Sequence, residues 1–144
     1  NCPACIEQGF RDAIAGTDKA RVVTTPKVSA IRDADRMIGL LEAEDIRDIH
    51  MIINRLRPDM IARGGMMSVE DVIESLAVDL IGTILDDEQI VIAANQGEPR
   101  SGRNSQAEEE YRNIGRRLLG EEVPFAELRS KKGMFQRIGD FFRK

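Results

Sequence analysis

Between Arg21 and Pro58 the hydrophobic pattern changes period twice. RVVTT is a short β-branched run that Pro26 stops. Beyond it Ile31, Ala34, Ile38 and Leu41 recur three and four apart, which predicts a helix over residues 27–43 with one apolar face. Pro26 suits the first helical position, with Thr25 as its cap. The run IHMIIN is nearly continuous in apolar character, as a parallel strand buried on both faces would be. A strand, a crossover helix and a second parallel strand imply an α/β domain.

The same patterns extend along the chain. NCPACIEQGFRDAIAG reads as a loop feeding a helix that buries Ile6, Phe10, Ala13 and Ile14. Ser68 and Asp71 form a capping box that opens a helix to about Ala77, and LIGTIL, residues 80–85, is a third strand. Asp86, Asp87 and Glu88 lead into a helical turn, IVIAANQGEP, closed by Asn95 and Gly97. Ser105 and Glu108 cap a longer helix with Ala107, Tyr111, Ile114 and Leu118 as its buried stripe and Gly120 as its stop. Pro124 to Leu128 is expected to be a short helical piece before the polar hinge RSKKG. The expected architecture is part of a doubly wound, mostly parallel sheet with flanking helices over residues 1–130, then a hinge and an amphipathic helix over residues 131–144.

That last segment is the most amphipathic stretch of the chain. With Met134 at zero and ~100° per residue, Phe135, Ile138, Phe141 and Phe142 fall within an arc of roughly 120°. Arg137, Arg143 and Lys144 occupy the polar side. Such a helix either docks on its own core or lies in an anionic membrane interface, and the basic face behind a hinge fits the interface better.

Charge sharpens this division. The chain of 144 residues carries a net −4, but its last fourteen positions hold five bases against one acid, so residues 1–130 carry −8. An acidic body argues against a nucleic-acid-coating protein and disfavours a DNA-partitioning role. No apolar run approaches the ~20 residues that span a bilayer, and the start does not resemble a secretory signal. The expected location is therefore cytoplasmic, peripheral on the inner face of the cell membrane. The chain opens on NCPAC without an initiator Met or a preceding apolar strand, so it is expected to be a piece of something longer.

Candidate chemistry is sparse. Cys2 and Cys5 make a CxxC at a helix start, where the positive helix end favours a thiolate; they are either a thiol-disulfide pair or ordinary loop thiols. His50, the single histidine, falls in a strand and reads as a strand side chain rather than a zinc ligand. Arg32, Asp33, Asp35 and Arg36 lie opposite the apolar face of their helix, as a solvated surface with weak ion pairs would. Asn54, near a strand's carboxyl end, can offer its amide to a purine edge or close its own turn. The acids 86–88 serve either a metal or the positive end of the following helix.

Taken together, NCPACIEQGF, VVTTPKVSAIRDADR, MMSVEDVI, ILDDE, ANQGEP, RRLLGEEVPF and KKGMFQRI resemble the C-terminal half of the MinD branch of the MinD/ParA family, the deviant-Walker P-loop ATPases that position the bacterial division septum. The resemblance runs in order through nearly all of the chain. It implies a mostly parallel, doubly wound sheet, ATP and magnesium as cofactors, ATP-driven homodimerisation, membrane attachment through paired terminal helices, and docking of MinC- and MinE-like partners. It makes Asn54 the adenine-reading amide, sets Leu85 and Asp86 beside the base, and gives Arg32, Asp33 and Asp35 to the partner surface. NCPACIE is similar to the family's DxPAGIE switch segment, so Asn1 and Cys5 occupy catalytic switch positions and depart from both. An Asn lacks the charge that holds magnesium waters, and a non-Gly residue restricts backbone at the γ-phosphate. No G-x-x-x-x-G-K-[ST] or deviant lysine loop occurs in the 144 residues; in the family it lies N-terminal to where this sequence begins. The expectation is a MinD-like C-terminal portion with catalysis absent or defective in this chain alone. The alternatives are a non-catalytic membrane-associated module and, behind it, a thiol oxidoreductase.

Overall fold

The computed structural model describes residues 10, 12, 14–87 and 106–125. In chain order its elements are β1 (Lys19–Thr24), α1 (Val28–Ala43), β2 (Asp48–Leu56), α2 (Pro58–Ala62), α3 (Val69–Leu76), β3 (Asp79–Leu85) and α4 (Gln106–Leu118). The strands form one sheet in the order β1-β2-β3, and both pairings are parallel. Parallel neighbours need crossovers, and α1 and α3 supply them.

The turn from β1 into α1 differs from the expected cap. Pro26 is buried outside the helix, the Lys27 N–H donates to the Thr25 carbonyl at 2.7 Å, and Lys27, in extended geometry, is the cap residue without a side-chain bond. The fixed φ of Pro26 thus closes a three-residue turn instead of starting the helix. From Val28 the expected face holds: Ile31, Ala34, Ile38 and Leu41 are all buried. They pack with Val22, Met51, Ile53 and Leu56 of the sheet and with Val69, Val72 and Leu76 of α3. Met51, Ile53, Leu56 and Val72 are fully enclosed, each worth about 1.5–3 kcal/mol of burial. The helix α3 opens as expected: Ser68 Oγ accepts from the Asp71 N–H at 3.1 Å, and Asp71 Oδ2 accepts from the Ser68 N–H at 3.0 Å.

A register shift decides what the second sheet face presents. Met51 pairs with Leu80 but Ile52 pairs with Gly82, so β3 carries an extra residue at Ile81. Leu80 consequently joins Met51 in the main core, while Ile84 joins Ile52, Ala107 and Ile114 on the other side. There α4 lies against bare backbone, because a Cβ at Gly82 would overlap Ile114. Helices therefore cover both faces of the sheet, although on the second face His50 and Asn54 of β2 stay half-buried and Val23 of β1 is exposed. The strand β2 is thus less evenly enclosed than its near-continuous apolar sequence predicts.

The stripe of α4 also departs from expectation. Ala107 and Ile114 are buried, but Glu110 takes the position expected of Tyr111, which is 51% exposed, and Leu118 is exposed as well. Arg117 explains the rotation. Its Nη1 donates to the Ile81 carbonyl at 2.9 Å, its Nε to Val123 at 2.9 Å and its Nη2 to Pro124 at 2.8 Å, while its guanidinium stacks 4.2 Å over Phe125. The buried face is offset by about 40° from the one that apolar spacing alone would select, toward the side that Arg117 anchors. Gly120, at φ +88°, ends α4 as expected, with the Glu121 N–H returning to the Arg116 carbonyl. Pro124 and Phe125 are not helical, so the short helical piece expected from Pro124 does not begin there.

The switch positions Asn1 and Cys5, the CxxC pair, the turn after Asp87 and the entire hinge and terminal helix lie outside the described residues. Among those residues no helix is long and apolar enough to cross a membrane.

Candidate functional site

Parallel strands gather their carboxyl ends on one edge, the usual place for ligands in open α/β sheets. Here that edge brings Asn54, Leu85 and Asp86 together. Leu56 pairs with Leu85, and the Asp86 N–H donates to the Leu56 carbonyl at 2.9 Å, extending the contact of β2 and β3 one residue past the strand. Between Asn54 and Leu56 the chain takes an unusual step, with Arg55 at φ +59°. This left-handed conformation is strained for a residue with a side chain, and β2 resumes at Leu56, which is fully buried. The strain turns the Arg55 side chain to solvent, with its Nε 3.9 Å from Asp86 Oδ1.

Asn54 is half-buried, and its Oδ1 accepts the Arg55 N–H at 2.8 Å. This is the turn bond that the sequence allows, yet it uses only the carbonyl oxygen. Among the described residues the amide nitrogen is uncommitted, leaving two donors at the strand end. The half-buried Leu85 offers apolar surface nearby on the same edge. Such a donor beside an aliphatic surface suits a flat heteroaromatic edge.

The structure joins a second residue to Asn54 that sequence spacing did not. A groove of about 320 Å³ lies beside β1 and α1, walled by Val22, Val23, Ala34, Met37, Asp33 and Asn54. Among the described residues no basic side chain lines it. Asp33 thus faces the groove, while Arg32 and Asp35 stand exposed on the outer side of α1. Among the described residues none of the three, nor Arg36, makes an ion pair. The solvated-face reading expected weak pairs here; none occurs with another described residue.

Other charged groups serve the scaffold. At the opposite sheet end Asp48 gathers Lys19 Nζ at 3.2 Å, Arg21 Nη1 at 3.1 Å and His50 Nδ1 at 2.9 Å. Partial burial works against ionising Asp48, but Lys19 and Arg21 prevail and hold its carboxyl below the ordinary range. His50 is a half-buried strand side chain whose Nδ1 lies beside this acid but makes no hydrogen bond among the described residues. Among the described residues no group of three or more His, Cys, Asp or Glu could hold a metal, and Glu88, the last of the acidic run, lies outside them. Sequence reasoning missed Arg55, because an Arg gives no signal for positive φ, and it missed Arg117, whose role rests on one carbonyl of β3 and two of the segment after α4.

No family model matches the chain. It is 46% identical over 145 aligned positions to the septum site-determining protein MinD of Bacillus subtilis (strain 168), which covers 99% of the chain and 54% of that relative. With the protein of the same name from Synechocystis sp. it shares 52% over 130 positions, covering 89% of the chain and 49% of the relative. The MinC:MinD cell division protein complex of Aquifex aeolicus contains a chain of matching structure, with TM-score 0.79 and 42% identity, covering 85% of this chain and 52% of that one. The chain spans about half the length of the curated relatives it matches. Sequence and fold together show that the chain belongs to the MinD family and spans about half of its relatives' length.

Proposed function

We propose that this chain is the C-terminal portion of a MinD-like ATPase acting in division-septum placement, and that its share of the nucleotide site reads the base. The observation that carries the reading is the meeting of Asn54, Leu85 and Asp86 at the carboxyl ends of two parallel strands, in a chain 46% identical to a MinD protein. The uncommitted amide donors of Asn54 and the apolar surface of Leu85 fit an adenine, and Asp86 fixes the loop by its backbone bond to Leu56. ATP with magnesium, when bound, supplies the phosphoanhydride of the cycle.

In this reading Arg32, Asp33 and Asp35 form a docking surface for MinC- and MinE-like partners, supported by their exposure on α1 without an ion pair among the described residues. The MinC:MinD complex of Aquifex aeolicus supports MinC in particular. Homodimerisation through the completed nucleotide site would pair two terminal helices, and Met134, Phe135, Ile138, Phe141 and Phe142, flanked by Arg137 and Arg143, would enter an anionic bilayer surface. The test is calorimetry of the complete protein with ATP and magnesium. Asn54→Ala is expected to weaken binding about tenfold, the worth of a hydrogen bond left unmade at a buried edge. Unchanged affinity would remove Asn54 from the site.

A further inference from the structure

Glu110 is a buried acid for which neither the nucleotide edge nor the partner-facing helix has a use. It lies on the side of α4 that rests on the sheet, between Ala107 and Ile114, and is 3% exposed. Neither carboxylate oxygen has a hydrogen-bond partner among the described residues. The strand surfaces facing α4 are apolar: Gly82 and Ile84 from β3, Ile52 from β2.

The charges acting on Glu110 belong to its own helix. Burial pushes the carboxyl above its ordinary range, Arg117 works against that, and Glu109 adds to it. Arg117 does not pair with Glu110, being committed to the carbonyls of Ile81, Val123 and Pro124. On β2, Asp48 is held by Lys19 and Arg21 with His50 beside it, and Arg55 is exposed; on β3, Asp79 is exposed at the start of the strand; beyond α4, Glu121 is bound to Arg116 and Glu122 is exposed. No basic side chain on the packed strands therefore neutralises Glu110. An ionised carboxylate there bears the desolvation cost of a buried, unpartnered charge, and a protonated one does not.

We propose that α4 is a proton-gated latch: with Glu110 neutral the helix seats on Ile52, Gly82 and Ile84, and ionising Glu110 lifts it and releases the Arg117 bonds that tie residues 123–125 to β3. The proton passes to bulk water, so no other reactant is required. Because the folded state holds the proton more tightly than an unfolded chain, the stabilisation is complete below the ordinary glutamate value of about 4.3 and is lost as pH rises through the folded value. This goes beyond the septum-placement reading and stands independently of it.

Hydrogen exchange of the complete protein between pH 4 and 8, corrected for intrinsic rates, tests the latch on wild type, Glu110→Gln and Glu110→Leu. Protection of the α4 amides in wild type is expected to fall about tenfold for each unit by which the folded acid is weaker, and to stay level in both variants. Amides of α1 should behave alike in all three proteins. At pH 8 both variants should melt about 3 °C above wild type, with the difference closing at pH 4. The leucine variant guards against a glutamine amide that is itself left unpaired. Parallel loss of α4 protection in wild type and Glu110→Gln, or melting of both variants below wild type at pH 8, overturns the proposal.

Discussion

Adding one methyl group at Gly82 should unseat α4 more than its size suggests. The Cβ of Gly82→Ala would overlap Cγ1 and Cδ1 of Ile114, with Arg117 Nη1 3.6 Å away. β3 cannot retreat, because Gly82 is paired with Ile52 inside a parallel ladder, so the helix or the Ile114 rotamer must give. Overpacking of this kind costs about 1–3 kcal/mol. Ile114→Ala alone removes the obstructing atoms but leaves a void, at about 2–5 kcal/mol. Combined, the alanine at 82 occupies part of that void, so the pair should be more stable than the sum of the single changes by about 1–2 kcal/mol. Urea unfolding of the complete protein, followed by circular dichroism, measures the cycle, with an unchanged slope showing that only stability moved. A Gly82→Ala cost under about 0.5 kcal/mol, or additive singles, would refute the claim that α4 rests directly on the β3 backbone.

Arg55→Val should cost about 1–2 kcal/mol although the side chain is 66% exposed, because a β-branched residue resists the positive φ; Arg55→Gly should not, and equal melting of the two variants would argue against strain there. Reversing Asp33 and Asp35 to Lys should leave stability within about 0.5 kcal/mol while weakening MinC binding in pull-downs with the complete protein, and unchanged binding would return the pair to plain surface. Phe141→Glu and Ile138→Glu should each abolish sedimentation with anionic liposomes, whereas Arg143→Ala should weaken it by about 1 kcal/mol before salt screening; glutamate variants that still sediment would end the membrane reading.

Local chemistry made much of this fold legible in the linear chain. The three- and four-residue spacing of Ile31, Ala34, Ile38 and Leu41, the reciprocal bonds of Ser68 and Asp71, and the stop at Gly120 act over a few residues, and all three occur as expected. The parallel pairing of β1 and β2 follows too, because a crossover helix permits little else. The motifs resembling MinD identified the family, and the structure then brought Asn54, Leu85 and Asp86 to one edge.

What tertiary structure alone decided depends on contacts between segments far apart in sequence. The extra residue at Ile81 exists only relative to β2, and it sends Leu80 and Ile84 to opposite faces. Periodicity in α4 selects Tyr111 and Leu118 as buried, yet three carbonyls from β3 and the following segment capture Arg117 and rotate the helix until Glu110 is inside. The groove that joins Asp33 to Asn54 likewise needs α1 and two strands in place. Short-range spacing sets which elements form, because caps and apolar faces are local; which side chains they bury is set by the partner surface, and that surface is known only once the chain has folded back on itself.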